Sequence, residues 1–257
     1  MSWSRSRTLV VHNWRLLIAD PAPIVITTFM PIVMMAFLQG SGKAILQGSG
    51  FTGVSGSEVS VPGMAVLFAF FGVAYIGTSI FQEHQWGTWD RLRASPADTL
   101  EIVLGKMLPG AALMLAQLVL LFVVGVALFD LRIRGSVLGV GIMMVASIAM
   151  LVALSMLFTA VLKTANQLMA MVNMAAMVLA GIGGALAPVD ALPDWARTIA
   201  PLSPAYWMLD GFRAVILEGR GVEATFVPAL ATLGFAAAAA AVATWKFRMT
   251  DVKVWDQ

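Results

Sequence analysis

Six stretches of the chain contain no aspartate, glutamate, lysine or arginine, and this feature constrains the possible fold more than any other. Five of them reach about 20 residues, which is enough for a helix to cross roughly 30 Å of hydrocarbon. Only 12% of the 257 residues are charged, whereas soluble domains average about 25%. We therefore predict an all-α membrane protein, one domain over residues 1–257, with six transmembrane helices. The stretches are Ala22 to Leu38, Pro62 to Phe81, Leu108 to Phe129, Ser136 to Leu162, Gln167 to Ala187 and Phe226 to Trp245.

The first stretch is the shortest and contains Pro31, which predicts a kink. It is kept as a span because six crossings place both termini on one side. Lysine and arginine are more numerous on the side that would hold the termini, and basic residues favour the cytoplasmic side. The prediction is a multi-pass protein of the cell membrane with both termini in the cytoplasm.

Residues 3–18 have the pattern of an amphipathic helix that lies in the membrane interface. At 100° per residue, Trp3, Val10 and Trp14 share one face, and Arg5 and Arg15 fall on the opposite face. An ordinary packed leader helix is the alternative.

Two external connections differ in composition. Residues 39–61 are rich in glycine and serine, which predicts a flexible loop. Residues 188–225 contain proline, aromatic residues and helix signals, with Ser203 and Pro204 as a cap and first-turn pair for a helix through Leu217. Because that helix is too short to span, we predict short re-entrant helices before the last span.

Several function classes lack their sequence signals. Gly42 with Lys43 and Gly105 with Lys106 do not fit the phosphate-binding P-loop pattern, so no ATP site of that type is expected in this chain. The two histidines are far apart and cysteine is absent, so we expect no metal site. Basic residues are scattered rather than clustered, which argues against nucleic acid as a partner. The lack of an ionisable group within the six stretches argues against ion coupling.

Some uncharged polar residues and methionines of the spans are candidates for a substrate pathway. Gln117 and Asn173 carry amides that need a partner or a cavity at membrane depth, although interhelical hydrogen bonding explains most such groups. Met174 and Met177 belong to a group of flexible thioethers in the fifth span, which suits a large apolar substrate but also simple gap-filling. Tyr75 completes the predicted pathway set.

A polar segment, residues 82–107, interrupts the apolar spans and carries both charges and tryptophans. Trp86 and Trp89 offer large apolar anchors, and Arg91 and Arg93 offer charge-assisted contacts. The segment is predicted to bind a cytoplasmic partner. An interfacial helix whose tryptophans sit at the headgroup level is the alternative.

The run EHQWGTWDRLRASP, followed by LGKML, resembles the cytoplasmic loop of ABC-2-type permeases, such as the membrane subunits of daunorubicin-resistance-type drug exporters. His84 and Gln85 depart from the family's usual basic and acidic pair. The external run LPDWARTIAPLSPAYWMLDGFRAVILEG is similar to the helices that precede the last span in that family. The residues that match the loop are Glu83, Gly87, Thr88, Arg91, Leu92, Ser95, Pro96, Gly105 and Lys106.

The resemblance implies a permease subunit without ATPase activity of its own. A second copy of the permease, or a close relative of it, would complete the pore within the membrane lipids, and a separate cytoplasmic ABC ATPase would bind ATP and magnesium. A coupling helix over residues 85–94 would contact that ATPase through Glu83, Trp86, Gly87, Thr88, Trp89, Arg91 and Arg93. The expected function is export of a hydrophobic or amphipathic, drug-like compound. Export of a lipid, glycolipid or polysaccharide is the alternative, and a membrane anchor or an ion-coupled carrier is less favoured.

Overall fold

The computed structural model describes residues 22–94 and 99–246 together with Lys253. Within these residues every regular element is a helix, which confirms the predicted all-α fold class. The predicted interfacial helix at 3–18 and the matched residues Ser95 and Pro96 lie outside the described residues.

Nine α-helices, numbered here in chain order, form the described part of the chain. A π-helical turn, Ala176–Ala180, continues α6, and single 3-10 turns occupy Val189–Ala191, Ala200–Leu202 and Val222–Thr225. The helices are α1 Ala22–Gly48, α2 Ser57–Gln85, α3 Trp89–Arg93, α4 Thr99–Leu128, α5 Val137–Val161, α6 Ala165–Ala175, α7 Asp194–Ile199, α8 Pro204–Ile216 and α9 Phe226–Lys246.

Five helices in the described part are long and apolar enough to cross a membrane. They are Thr27–Gly48, Ser57–Gln85, Gly105–Leu128, Val137–Val161 and Val222–Lys246. The segment Ala165–Ala180 is apolar but shorter, and at about 1.5 Å per residue it covers less than the roughly 30 Å of a bilayer core. The predicted count of six spans is therefore not confirmed.

The prediction of a flexible loop over residues 39–61 is wrong for most of that range. Helix α1 continues past Pro31 to Gly48, and α2 already begins at Ser57. The reason is close packing between the two helices. Gly56 adopts a φ of 92°, and a Cβ at Gly56 would lie 2.1 Å from the carbonyl oxygen of Gln39. The glycines of this segment predict flexibility, but Gly56 instead permits the backbones of α1 and α2 to touch.

Helix α2 is the centre of the bundle and packs against α1, α4, α5, α6 and α8. Its Met64, Phe70 and Phe81 are completely or almost completely buried. Helix α9 packs mainly on α5. By contrast, α4 exposes Val119 and Val123. An apolar exposed face is the pattern expected of a helix that faces lipid.

The two ends of the bundle are built differently, and they are named here for later use. The turn end contains residues 82–94 and 105–107, where α2 meets α4. The cavity end contains residues 46–62, 130–136 and 183–225, where the short helices α7 and α8 pack. Contacts between distant segments hold the cavity end together, including Arg134 Nη2 donating to the Gly53 carbonyl at 3.0 Å.

The predicted start of α8 is confirmed at atomic detail. The Ser203 hydroxyl oxygen accepts from the Ala205 N–H at 3.2 Å, and Pro204 occupies the first turn, where its missing N–H costs nothing. The helix ends at Ile216, close to the predicted Leu217. Phe212 and Ile216 are buried, so α8 has one apolar face in the core and one polar face.

Candidate functional site

Helix α2 ends in a tight reversal of the chain at Gly87. The Gly87 N–H donates to the His84 carbonyl at 3.2 Å, and the Thr88 N–H donates to the Glu83 carbonyl at 3.0 Å. This pair of bonds is the Schellman arrangement, which requires a left-handed residue, and Gly87 supplies it with a φ of 65°. The predicted coupling helix over residues 85–94 is therefore split. Gln85 ends α2, and the short helix α3 begins only at Trp89.

A buried ion pair fastens this reversal to the start of α4. The Lys106 Nζ donates to Glu83 Oε1, and the Thr88 hydroxyl donates to Glu83 Oε2. The Lys106 and Glu83 side chains are only 3% and 8% exposed. Removing one partner of a buried pair leaves the other charge buried without compensation, which typically costs about 3–5 kcal/mol of stability. The pair therefore fixes the end of α2 relative to α4.

The two tryptophans of the reversal have opposite environments. Trp89 is 6% exposed, and its ring stacks on His84 with 4.5 Å between centroids and 26° between planes. His84 is held in turn because its Nδ1 lies 3.0 Å from the Ile80 carbonyl oxygen. Trp86 is 51% exposed. Trp89 thus fixes α3 against α2, whereas Trp86 lies on the surface of the turn end.

Arg91 lies on α3 and is exposed, as is Asp90 beside it. Arg93 is the last residue of α3, and its side chain is outside the described residues. The exposed surface of the turn end therefore carries an indole and a guanidinium, with Trp86 and Arg91 from the predicted set. Glu83, Thr88 and Trp89 lie beneath that surface and hold it in place.

Comparison with known protein families identifies the family of this chain. A family model described as "ABC-2 type transporter" matches residues 5–217. This chain belongs to the ABC-2 type transporter family. The match covers the reversal at Gly87, the ion pair and the short helices α7 and α8.

Two relatives show how far the similarity extends. "Probable multidrug ABC transporter permease YbhR" of Escherichia coli K12 is 23% identical over 164 residues, which are 63% of this chain and 45% of that protein. "ABC transporter G family member 20" of Dictyostelium discoideum is 28% identical over 166 residues, which are 63% of this chain and 22% of that protein. The alignments thus cover less than half of each relative. As an ABC-2 membrane domain, the chain is a permease component.

The residues predicted for a substrate pathway of this ABC-2 chain do not share one environment. Gln117 is 9% exposed, and its Nε2 donates to the Thr27 carbonyl at 2.9 Å, which joins α4 to α1. Tyr75 is half-buried on α2. Asn173, Met174 and Met177 are exposed on α6 and its π turn. A pathway through these residues stays a prediction.

Lys106 was matched in the sequence but was not among the predicted site residues. Its signal was present, because a lysine directly before an apolar span needs either the headgroup region or a buried partner. The sequence analysis also missed that three acidic residues come together at the cavity end. They are Glu58, Asp190 and Asp210, which come from three segments that are distant in sequence.

Proposed function

We propose that this chain is the membrane-spanning permease subunit of an ATP-driven exporter of hydrophobic or amphipathic compounds. The energy comes from a separate cytoplasmic ABC ATPase that binds ATP and magnesium. A second permease copy completes the transport unit, which lies in the cell membrane with both termini in the cytoplasm. The family membership supports this proposal, and the multidrug name of one relative favours a drug-like substrate over a polysaccharide.

The observation that carries the proposal is the rigid attachment of the turn end to the bundle. A force applied by the ATPase to α3 reaches α2 through Trp89 on His84, and it reaches α4 through the ion pair of Glu83 and Lys106. Both α2 and α4 are long enough to span. A displacement at the partner surface therefore moves two spanning helices together rather than bending a loop.

The ATPase would bind the exposed Trp86 and Arg91. Large aromatic residues and arginine are enriched among the residues that dominate binding energy at interfaces. The inner residues of the set act differently. Trp89 is buried within this chain, so it positions α3 and leaves direct contact to its exposed neighbours.

The test is transport by the reconstituted complex of permease and cognate ATPase. In inside-out vesicles, the double variant Trp86→Ala with Arg91→Glu should reduce ATP-dependent ethidium uptake at least tenfold and should weaken recovery of the ATPase on a tagged permease. The matched control is Trp195→Ala with Arg197→Glu. It changes the same residue types on α7 at the cavity end, where Trp195 is 65% exposed.

The control variant should retain both ATPase recovery and uptake. ATPase binding without ATP-dependent uptake in the wild type would favour a membrane anchor instead of an exporter. Uptake that persists without ATP but collapses with the ion gradient would favour a secondary carrier. Equal uptake by the wild type and the turn-end variant would overturn the assignment of the partner surface.

A further inference from the structure

The cavity end encloses a space of about 120 Å³ that the proposed function does not use. It lies among the end of α1, the start of α2, residues 183–190 and α8. Apolar side chains from three of these segments form part of its wall, including Phe51, Val59 and Leu209. The charged groups of the wall are the carboxylates of Glu58, Asp190 and Asp210 and the guanidinium of Arg213.

The single guanidinium of this wall is already engaged. Arg213 Nη1 lies 2.8 Å from Asp190 Oδ2, and its Nε lies 3.5 Å from Glu218 Oε1. Glu218 also contacts Arg220 at 3.0 Å. Asp190 and Glu218 are thus paired with Arg213 and Arg220, and of these four residues Asp190 and Arg213 line the cavity. In the described part of the chain, Glu58 and Asp210 are the lining carboxylates that form no ion pair at contact distance.

Glu58 is 2% exposed, and its carboxylate accepts only uncharged donors in the described part of the chain. The Gly56 N–H donates to Oε2 at 2.9 Å, and the Ser55 N–H donates to the same oxygen at 3.2 Å. These bonds cap the start of α2. The backbone at the start of its own helix therefore holds the Glu58 carboxylate in the cavity wall.

Asp210 is the more available of the two carboxylates. Across residues 22–94 and 99–246, no hydrogen bond or ion pair reaches its side chain. Burial raises the pKa of Asp210 above its ordinary value, the nearby Glu218 carboxylate raises it further, and the charges of Arg213 and Arg220 offset this only in part. The pKa of Tyr206 is raised as well, first by burial and then by the charge of Asp210. A bound cation would reduce the remaining cost of keeping the Asp210 carboxylate charged.

The size of the cavity limits what that cation can be. Drug-sized ligands occupy pockets of roughly 300–1,000 Å³, whereas a cavity of about 150 Å³ holds a single benzene ring. This space therefore fits a compact head group, and any longer apolar body must extend through the open side. Within the described residues, no group of three or more His, Cys, Asp or Glu side chains is placed to hold a metal ion.

An alkylated ammonium group meets these conditions better than a small inorganic ion. Its charge is spread over an apolar surface, so the apolar wall costs it little hydration, and the lining includes Tyr206, an aromatic residue of the type that attracts such cations. We propose that this cavity binds the quaternary or alkylated ammonium head of an amphipathic cation, with Asp210 as the main counter-charge. The site goes beyond the proposed transport function, since binding at equilibrium requires neither ATP nor an ATPase.

The test is calorimetry on the full-length permease in nanodiscs of phosphatidylethanolamine and phosphatidylglycerol, which contain no quaternary ammonium. The probe is benzyltrimethylammonium, and benzenesulfonate is the probe of opposite charge. The wild type should bind the cation saturably, one per chain, and should not bind the anion. Asp210→Asn should weaken the affinity for the cation about tenfold or more.

Two further variants separate a built site from a general electrostatic field. Asp194→Asn removes an exposed carboxylate that does not line the cavity and should change the affinity less than twofold. Val59→Trp fills the cavity without changing its charge and should abolish binding. Melting curves of all three variants, recorded without probe, establish that each is folded.

Three results would overturn the proposal: no saturable binding by the wild type, equal affinity in the wild type and folded Asp210→Asn, or equal binding of benzenesulfonate. Repeating the titration in phosphatidylcholine nanodiscs distinguishes two sources of the same head group. Competition by the lipid supports a choline headgroup as occupant, and unchanged binding supports a soluble amphipathic cation. Because the assay omits the ATPase, failure of ethidium transport would leave this result intact.

Discussion

The turn end and the cavity end both bury carboxylates, but they compensate them in opposite ways. At the turn end, Glu83 is matched by Lys106 and by the Thr88 hydroxyl. At the cavity end, Glu58 accepts backbone N–H groups, and no described hydrogen bond or ion pair reaches Asp210. A matched buried charge fastens two elements together. An unmatched charge that faces a cavity costs stability unless a ligand supplies the opposite charge.

The largest change in the free energy of unfolding is expected at the turn end. Glu83→Ala removes the carboxylate that is paired with the buried Lys106 ammonium, and it should lower the free energy of unfolding by about 3–5 kcal/mol. Thermal unfolding of the permease in nanodiscs measures the loss. Asp130→Ala is the matched control, because Asp130 and Arg132 form a pair with side chains 64% and 67% exposed.

An exposed pair of this kind is worth about 0–1 kcal/mol. Replacing both buried charges, as Glu83→Met with Lys106→Met, should recover most of the stability lost in Glu83→Ala. Equal losses in Glu83→Ala and Asp130→Ala would show that the turn end is not fastened by its ion pair.

An intermediate effect is expected where α1 and α2 touch at the cavity end. Gly56→Ala introduces a Cβ that lies 2.1 Å from the Gln39 carbonyl oxygen, at a residue with a φ of 92°. Gly50 has a similar φ of 87°, but a Cβ there meets no atom within 4 Å. Gly50→Ala should therefore cost only the left-handed strain of about 1–2 kcal/mol.

Gly56→Ala should cost clearly more than Gly50→Ala in the same unfolding assay, since the two helices must separate. If the two variants melt at the same temperature, the wall of the cavity does not depend on close contact between α1 and α2.

The smallest change in folding stability is expected for Asp210→Asn. This variant should be stabilised, whereas Glu83→Ala should be destabilised. Burial raises the pKa of Asp210 in the folded state, so the folded protein binds this proton more tightly than the unfolded chain does. The charged carboxylate therefore destabilises the fold at neutral pH. That cost diminishes as the pH falls through the raised pKa toward the ordinary value.

The variant should melt on the order of 1–2 °C higher than the wild type at pH 7, and the difference should shrink in acid. Melting curves across pH check this prediction. A lower melting temperature at neutral pH would indicate that Asp210 is compensated within the protein, which would remove the contrast between the two ends.

The long helices could be predicted because uncharged apolar stretches dominate their sequence. The start of α8 could be predicted because Ser203 and Pro204 carry a local capping signal. The extension of α1 to Gly48 could not, because glycine propensity is a weak prior that close packing overrides. The break at Gly87 had a local signal, since a glycine after a helix often adopts the left-handed conformation that ends it.

The turn end and the cavity also differ in how far the sequence alone could predict them. The turn end is nearly continuous in sequence from Glu83 to Arg93, and one distant residue, Lys106, completes it. Its residues could therefore be named from the sequence, although the inward position of Trp89 could not. The cavity is assembled from segments that only the fold brings together. No local pattern links Glu58 to Asp210, so nothing in the sequence indicated their shared cavity.

In the proposed exporter, the turn end transmits the action of the ATPase while the cavity end binds the cation. Ethidium-stimulated ATP hydrolysis and benzyltrimethylammonium affinity, both measured on Trp86→Ala with Arg91→Glu, separate these two roles. We expect the stimulation to fall at least tenfold and the cation affinity to stay within twofold of the wild type. Full stimulation in this variant would contradict the role of the turn end.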